Sequence, residues 1–303
     1  MASLETLLPS ELDGALPLLL GSAVAGRLAD PGQVAAFREY LAESTLGWEG
    51  WRCGAAEMPS ALFLAVLLAG RTTIIITPAP GLPGIVPDDQ WQVTVEGLAR
   101  LRERSLHYAQ ALLEPGATGQ RELLMRAGFR PLAPLTYLER DALYPWVDPP
   151  ARDEAEWVHY DARTHADFAR VIPETYRDSR DCPELSGLRP IDDVLRAHQA
   201  AGRFDPRLWE VARVAGQDAA CLLLTRLARD TVLDVVYMGV VPAWRRRGVG
   251  ALLLRRALEQ CRARNARRLT VVVDERNAPA ARLYERFGFV RAAQREAYLY
   301  RWR

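Results

Sequence analysis

The sequence predicts an α/β protein built on a mixed sheet and present in two copies, and three observations carry that reading. The second half alternates short apolar runs with stretches of helical periodicity. A strand–helix–strand segment in the first half, HYAQALLEPGATGQRELLMRAGFRPLAPLTYLER, repeats in shape as RLTVVVDERNAPAARLYERFGFVRAAQREAYLYR, with Gly128-Phe129 falling on Gly288-Phe289 at an offset of 160 residues. Between the halves, YPWVDPPARDE (Tyr144 to Glu154) combines three prolines with charge and has no apolar period, as a linker does. The expected domains are therefore 1–145, a linker over 146–155, and 156–303.

In the second half, EWVHYDA predicts a strand and THADFARVIPETY a helix. LWEVARVAGQDAACLLLTRLARDTVLDVVYMGVVP predicts three strands, parted at Gly216 and at Ala228-Arg229-Asp230. A helix follows from about Val249, then the strand RLTVVVDE, the helix APAARLYERFG and a last strand near REAYLYRW. The repeat is informative where it fails: Ala117 stands opposite Asn277 and Leu124 opposite Tyr284, and the loop PAPGLPGIVPDDQ (Pro78 to Gln90) has no Arg-x-x-Gly-x-Gly. The first copy keeps packing residues and loses polar ones, as a scaffold without chemistry would.

A chain of 303 residues, 49% hydrophobic and 25% charged, is that of an ordinary soluble globular protein of two domains. Its net charge of +1 argues against nucleic acid or membrane surfaces as partners. All 39 basic residues are arginine, which a codon bias toward arginine explains. Cys53, Cys182, Cys221 and Cys261 form no CxxC pair, so neither a metal site nor a disulfide framework is expected. ALPLLLGSAVAG has the look of a signal core, but Glu5, Glu11 and Asp13 precede it where positive charge belongs. The longest apolar run, MPSALFLAVLLAG, is too short to span a bilayer. These features predict a cytoplasmic protein.

The chemistry-bearing stretch is Arg245-Arg246-Arg247-Gly248-Val249-Gly250, between a strand and a helix. Glycines at a helix start bare backbone amides and admit close approach, and three guanidiniums repel one another unless an anion joins them. A dinucleotide fingerprint fits poorly, because Leu253 stands at the third glycine and Pro242 to Arg247 separate strand from turn. A Walker loop needs a lysine.

V-V-P-A-W-R-R-R-G-V-G, an amphipathic helix, and then N-A-P-A-A-R-L-Y-E-R-F-G-F resemble the GCN5-related N-acetyltransferase (GNAT) superfamily over roughly residues 232–301. The resemblance implies tandem acyl-CoA N-acyltransferase domains, the N-terminal copy degenerate, with acetyl-CoA as cofactor. It implies that Arg245, Arg246, Arg247, Gly248, Val249 and Gly250 take the diphosphate, and that the backbone of Met238 and Val240 pairs with the pantetheine arm. Asn277 is implied as a cofactor or water ligand, or as a helix cap.

Strand alternation is expected to put Asp234, Val236, Met238 and Val240 on one face. Asp234 then stands where family members carry a carboxylate base, with an edge carboxylate as the bland alternative and Asp274 as the competing base. Tyr284 stands where the family commonly has a tyrosine that protonates the departing thiolate and binds the cofactor; its bland alternative is a core aromatic. The segment Tyr176 to Pro206 is the wall of the acceptor site in the family, which makes Tyr176, Asp181 and His198 substrate-binding candidates.

The function so implied is direct acetyl transfer to an amine of a small molecule or peptide. A non-catalytic acyl-CoA-binding regulator is the alternative from another class. In architecture alone the tandem resembles the mycothiol synthases and related double-domain acetyltransferases.

Overall fold

The computed structural model describes residues 4–22, 24–43, 47–144, 155–227 and 231–302. The chain runs β1 (Glu5–Thr6), α1 (Pro9–Leu19), α2 (Pro31–Glu43), β2 (Trp48–Ala55), β3 (Met58–Leu68), β4 (Thr72–Ile76), α3 (Pro87–Leu101), β5 (Tyr108–Leu113), α4 (Thr118–Arg126) and β6 (Arg130–Asp141). The same order then recurs: β7 (Glu156–His159), α5 (His165–Tyr176), α6 (Ile191–Gln199), β8 (Trp209–Val214), β9 (Gln217–Arg226), β10 (Val232–Val240), α7 (Val249–Ala263), β11 (Arg268–Asp274), α8 (Ala278–Arg286) and β12 (Val290–Tyr300). The starts of β5, α4 and β6 precede those of β11, α8 and β12 by the 160 residues of the sequence repeat. Residues 146–154 of the expected 146–155 linker, and the expected turn at 228–230, lie outside the described residues.

Two compact units emerge, Met1–Ala133 with Arg295–Arg303, and Pro134–Gln294. This differs from a division in chain order at 145 and 156, because each unit's sheet is completed by the last strand of the other half. In the first unit the strands lie in the order β1-β2-β3-β4-β5-β12, with Glu296 to Tyr300 antiparallel to Leu113 to Ala109. In the second the order is β6-β11-β10-β9-β8-β7, with Leu135 to Asp141 antiparallel to Asp274 to Arg268. The two final strands share the Tyr-Leu pattern at Tyr137-Leu138 and Tyr298-Leu299, so each can serve as the neighbouring strand of the other's sheet.

Burial explains the elements of the second unit. β9 carries a continuous run, Ala219 to Leu224, that is wholly buried because both faces of its sheet are covered. On one face α7 sets Leu253, Leu254, Ala257, Leu258 and Cys261 against Leu222, Leu224, Leu233 and Val235, a stripe at helical spacing. On the other face Phe168, Val171 and Ile172 of α5 and Leu195 of α6 pack on Trp209, Val211, Cys221 and Leu223. The first unit repeats the plan, with Leu62, Leu64 and Val66 of β3 toward α1, and Ala61, Phe63 and Ala65 clustered with Val93 and Leu98 of α3. That apolar run is thus a central strand, and among the described residues no helix is long and apolar enough to cross a membrane.

One expectation about faces is corrected. The register of β10 on β9 shifts between Val235 and Tyr237, so Val236 is an inserted bulge residue. An extra residue reverses the alternation beyond it. Met238 and Val240 therefore join Leu233 and Val235 on the α7 face. Asp234, opposite Thr225, shares the α5 face with Tyr237, opposite Leu223.

Candidate active site

Strands β10 and β11 pair in parallel only from Val232↔Arg268 to Val235↔Val271. Beyond that point β10 runs on to Val240 and β11 to Asp274 without pairing, and the two open apart at the bulge. Next comes a single 3-10 turn at Pro242–Trp244, after which Arg246 (φ 60°) and Gly248 (φ 90°) take left-handed backbone before α7 begins at Val249. The first helical bond, from the Leu252 amide to Gly248 O, is 3.1 Å. The amides of Val249, Gly250 and Ala251 lie before it, at the positive end of the helix. A Cβ at Gly248 would meet nothing within 4 Å, so the space over the turn is open.

The three arginines divide. The Arg245 guanidinium turns inward and donates to the carbonyls of Val240 (3.1 Å), Asp178 (3.0 Å), Thr175 (3.1 Å) and Arg177 (2.5 Å). Its side chain is a staple between β10 and the end of α5, occupied with carbonyls, which departs from the expectation that it meets a phosphate. Arg246 and Arg247 are exposed beside the turn, and the Arg247 guanidinium lies 5.3 Å from the Trp244 ring centre.

Tyr284 is buried on α8, its ring 5.4 Å from that of Phe289 in a T-shaped contact. Burial, then the charges of Asp181 and Asp234, push its phenol well above the ordinary range, which keeps it protonated. Those two carboxylates therefore lie within electrostatic reach of Tyr284. The half-buried Asp234 accepts a 2.5 Å hydrogen bond from Thr270 Oγ1, and desolvation raises its carboxyl against that bond. Asp181 is exposed as a residue but turns its carboxylate inward to the Asp274 amide, 3.0 Å away, and to Asn277. Desolvation and the neighbouring Asp274 charge raise it as well. Asp274 itself is fully buried; burial pushes its carboxyl up, but bonds from Arg276 and from backbone amides outweigh this and hold it below the usual range. The Arg276 guanidinium thus keeps Asp274, the competing candidate, in its ionised form. Asn277 caps α8, accepting from the Ala280 amide at 3.4 Å.

Of the acceptor-wall candidates, Tyr176 and His198 converge on Tyr237 of β10, a residue the sequence reading did not single out. Tyr237 meets Tyr176 edge-on at 5.6 Å and stacks on His198 at 5.7 Å. Its hydroxyl is 2.6 Å from Thr175 Oγ1. Burial, then the charge of Arg189, depress His198 to about 3, and its Nε2 is sealed from solvent without a partner. His198 is a neutral packing group here. A signal for Tyr237 existed in the sequence, but it was hidden by the bulge, which turns it toward α5.

The first unit keeps the shape and not the groups. β4 and β5 likewise stop pairing at Ile74↔Gln110 and part around a cleft of about 360 Å³ lined by Ile75, Ile76, Leu112 and Leu113. Leu124 fills the position of Tyr284, Ala117 leaves α4 without a side-chain cap, and the turn before α3 has Gly81 and Gly84 but no Arg-x-x-Gly-x-Gly.

Residues 172–289 match the Acetyltransferase (GNAT) family. A mycothiol acetyltransferase of Thermomonospora curvata is 33% identical over 144 residues, 48% of this chain and 43% of that protein. The chain spans about half the length of the curated relatives it matches. Among solved structures, a GCN5-related N-acetyltransferase from Sphaerobacter thermophilus superposes with a TM-score of 0.66 at 18% identity, over 98% of this chain and 95% of that one. A tandem GNAT protein from the clavulanic acid biosynthesis pathway gives 0.54 at 13%, over 99% and 98%. These likenesses show the fold, two GNAT-type units in tandem. The C-terminal part of the chain, with its parted strands and its Arg245–Gly250 turn, is a domain of the GNAT acetyltransferase family.

Proposed function

We propose that the protein is an acetyl-CoA-dependent N-acetyltransferase with one site, in the 134–294 unit, that moves the acetyl group directly to an amine. The observation that carries this reading is the opening between β10 and β11 before a turn with open space and bare amides, with Tyr284 within electrostatic reach of Asp181 and Asp234. Acetyl-CoA would supply an activated thioester, its diphosphate over Gly248 to Ala251 with Arg246 and Arg247 alongside, and its arm along the unpaired edge at Met238 and Val240. Arg245 shapes the turn from beneath.

The acceptor amine is protonated at neutral pH and must lose a proton to react. Asp234, with its raised carboxyl, is suited to receive it directly or through water. Tyr284, held protonated, is suited to give a proton to the leaving sulfur. No covalent intermediate is invoked, and the 134–294 unit provides both proton groups while its degenerate counterpart serves as scaffold. A regulator that only bound acyl-CoA would need neither Asp234 nor Tyr284.

The acceptor is a small-molecule or peptide amine, contacted by the 176–206 segment through Tyr176 and Asp181, with His198 supporting the wall. The names of the relatives favour an acceptor of the mycothiol type. Four cysteines, with no disulfide among the described residues, fit a cytoplasmic setting. The test is thiol release from acetyl-CoA against a panel of amines that includes deacetylated mycothiol, small polyamines and peptides. Acetylation of at least one amine, with the product identified by mass spectrometry, supports the reading; acetyl-CoA binding without transfer to any of them supports the regulator.

A further inference from the structure

Two charged groups take no part in the transfer as read above, yet they stand at the centre of a ring of contacts beside it. Asp274 is fully buried at the end of β11, where an unpaired carboxylate would be costly. Arg276 supplies the cation: its Nε is 3.0 Å from both Asp274 oxygens and its Nη2 is 2.6 Å from Oδ2. The same guanidinium forks onto Glu184, Nη1 to Oε1 at 2.6 Å and Nη2 to Oε2 at 2.9 Å.

Asp274 in turn grips the acceptor segment twice. Its amide donates to Asp181 Oδ1 at 3.0 Å, and its Oδ2 accepts the Cys182 amide at 3.1 Å. Within that segment Asp178 (φ 52°) and Cys182 (φ 43°) hold left-handed backbone, which persists in non-glycine residues only where surrounding contacts impose it. Asn277, next along from Arg276, bonds Asp181 and caps the helix that carries Tyr284. One guanidinium thus ties the end of β11, the Asp181 segment and the entry to α8 into a single body.

We propose that Arg276 is a positioning residue for acetyl transfer: on the reading that Asp181, Asp234 and Tyr284 form the transfer site, it bridges Asp274 and Glu184 and so holds the 177–190 segment where the acceptor amine is engaged, without touching acetyl-CoA. Lysine cannot serve equally, since a point charge lacks the fork that meets two carboxylates at once. Glu184 is the separable arm. Its side chain is 39% exposed, so removing its charge opens the clamp without stranding a buried one.

The experiment compares the full chain with its Arg276→Gln, Arg276→Lys and Glu184→Gln variants. Limited trypsin digestion, with cuts after Arg177 and Arg180 followed by mass spectrometry, reads the segment directly. Cutting there should be about tenfold faster in Arg276→Gln, and faster by a smaller factor in Arg276→Lys and Glu184→Gln. Acetyl-CoA affinity by calorimetry should stay within about twofold of wild type, while the KM for deacetylated mycothiol, or for the best amine of the panel, rises about tenfold and kcat falls much less. Unchanged protection of the segment in both Arg276→Gln and Glu184→Gln overturns the clamp, as does a loss confined to acetyl-CoA affinity. If Arg276→Gln does not fold, Glu184→Gln decides alone. A wild-type chain that acetylates no amine overturns the transfer reading and with it the catalytic role, while the trypsin comparison still decides whether the clamp exists.

Discussion

At the scale of single residues, the proposed proton donor and proton acceptor of the second unit sit in different environments. Tyr284 is kept protonated by burial and by two nearby carboxylates, and Asp234 is raised by desolvation. On the proposed reading, in which the phenol acts as the sulfur departs, replacing Tyr284 by Phe should lower kcat by about 10²-fold or more while leaving acetyl-CoA affinity near wild type. Steady-state rates set beside calorimetric affinity check this; a loss of affinity alone would make Tyr284 a binding residue.

For Asp234 the sign follows from the raised carboxyl. The base works when deprotonated, so kcat/KM should climb with pH along a limb above the usual carboxylate value of about 4. Asp234→Asn should remove that limb and shift the optimum upward. An unchanged pH–rate profile would point to solvent or Asp181 as the acceptor. Both residues were candidates already in the sequence, from the family resemblance and their spacing to the glycine turn and to Asn277. Arg276 and Glu184 were not, since nothing in a sequence reveals that a residue after a strand end reaches back to a loop 92 positions earlier.

At the scale of elements, the strands and helices of the second half fall where apolar periodicity sets them, from α5 to β12. The bulge at Val236 escaped notice because alternation across VLDVVYMGV is apolar on both faces and so carries no register. Its consequence is concrete. Gly239 comes to lie beneath α5, where a Cβ would stand 2.5 Å from Thr175 Oγ1 and 2.7 Å from the Tyr237 hydroxyl. Gly239→Ala should therefore break the Thr175–Tyr237 bond and cost about 1–3 kcal/mol of stability. Chemical denaturation measures it, and a stability equal to wild type would show that the wall yields without strain.

At the scale of the whole molecule, the repeat revealed two copies but not the exchange of their last strands, because the two carry the same pattern and either could complete either sheet. The exchange makes a chain-order cut costly. A 156–303 fragment lacks β6, leaves β11 as an open edge, and keeps a β12 whose own partner, β5, is gone. Such a fragment should aggregate or unfold without cooperativity, whereas a 134–294 fragment should unfold in one transition; circular dichroism melts of the two distinguish them, and a well-folded 156–303 monomer would speak against the exchange.

The division of labour between the units has one direct test, calorimetric titration of the full chain with acetyl-CoA. Gly248 sits at φ 90°, a conformation a β-branched residue resists, beside the open space assigned to a phosphate. The expected result is one equivalent bound per chain, with binding lost in a folded Gly248→Val variant; two equivalents, or affinity retained in that variant, would contradict a single transfer site in the 134–294 unit.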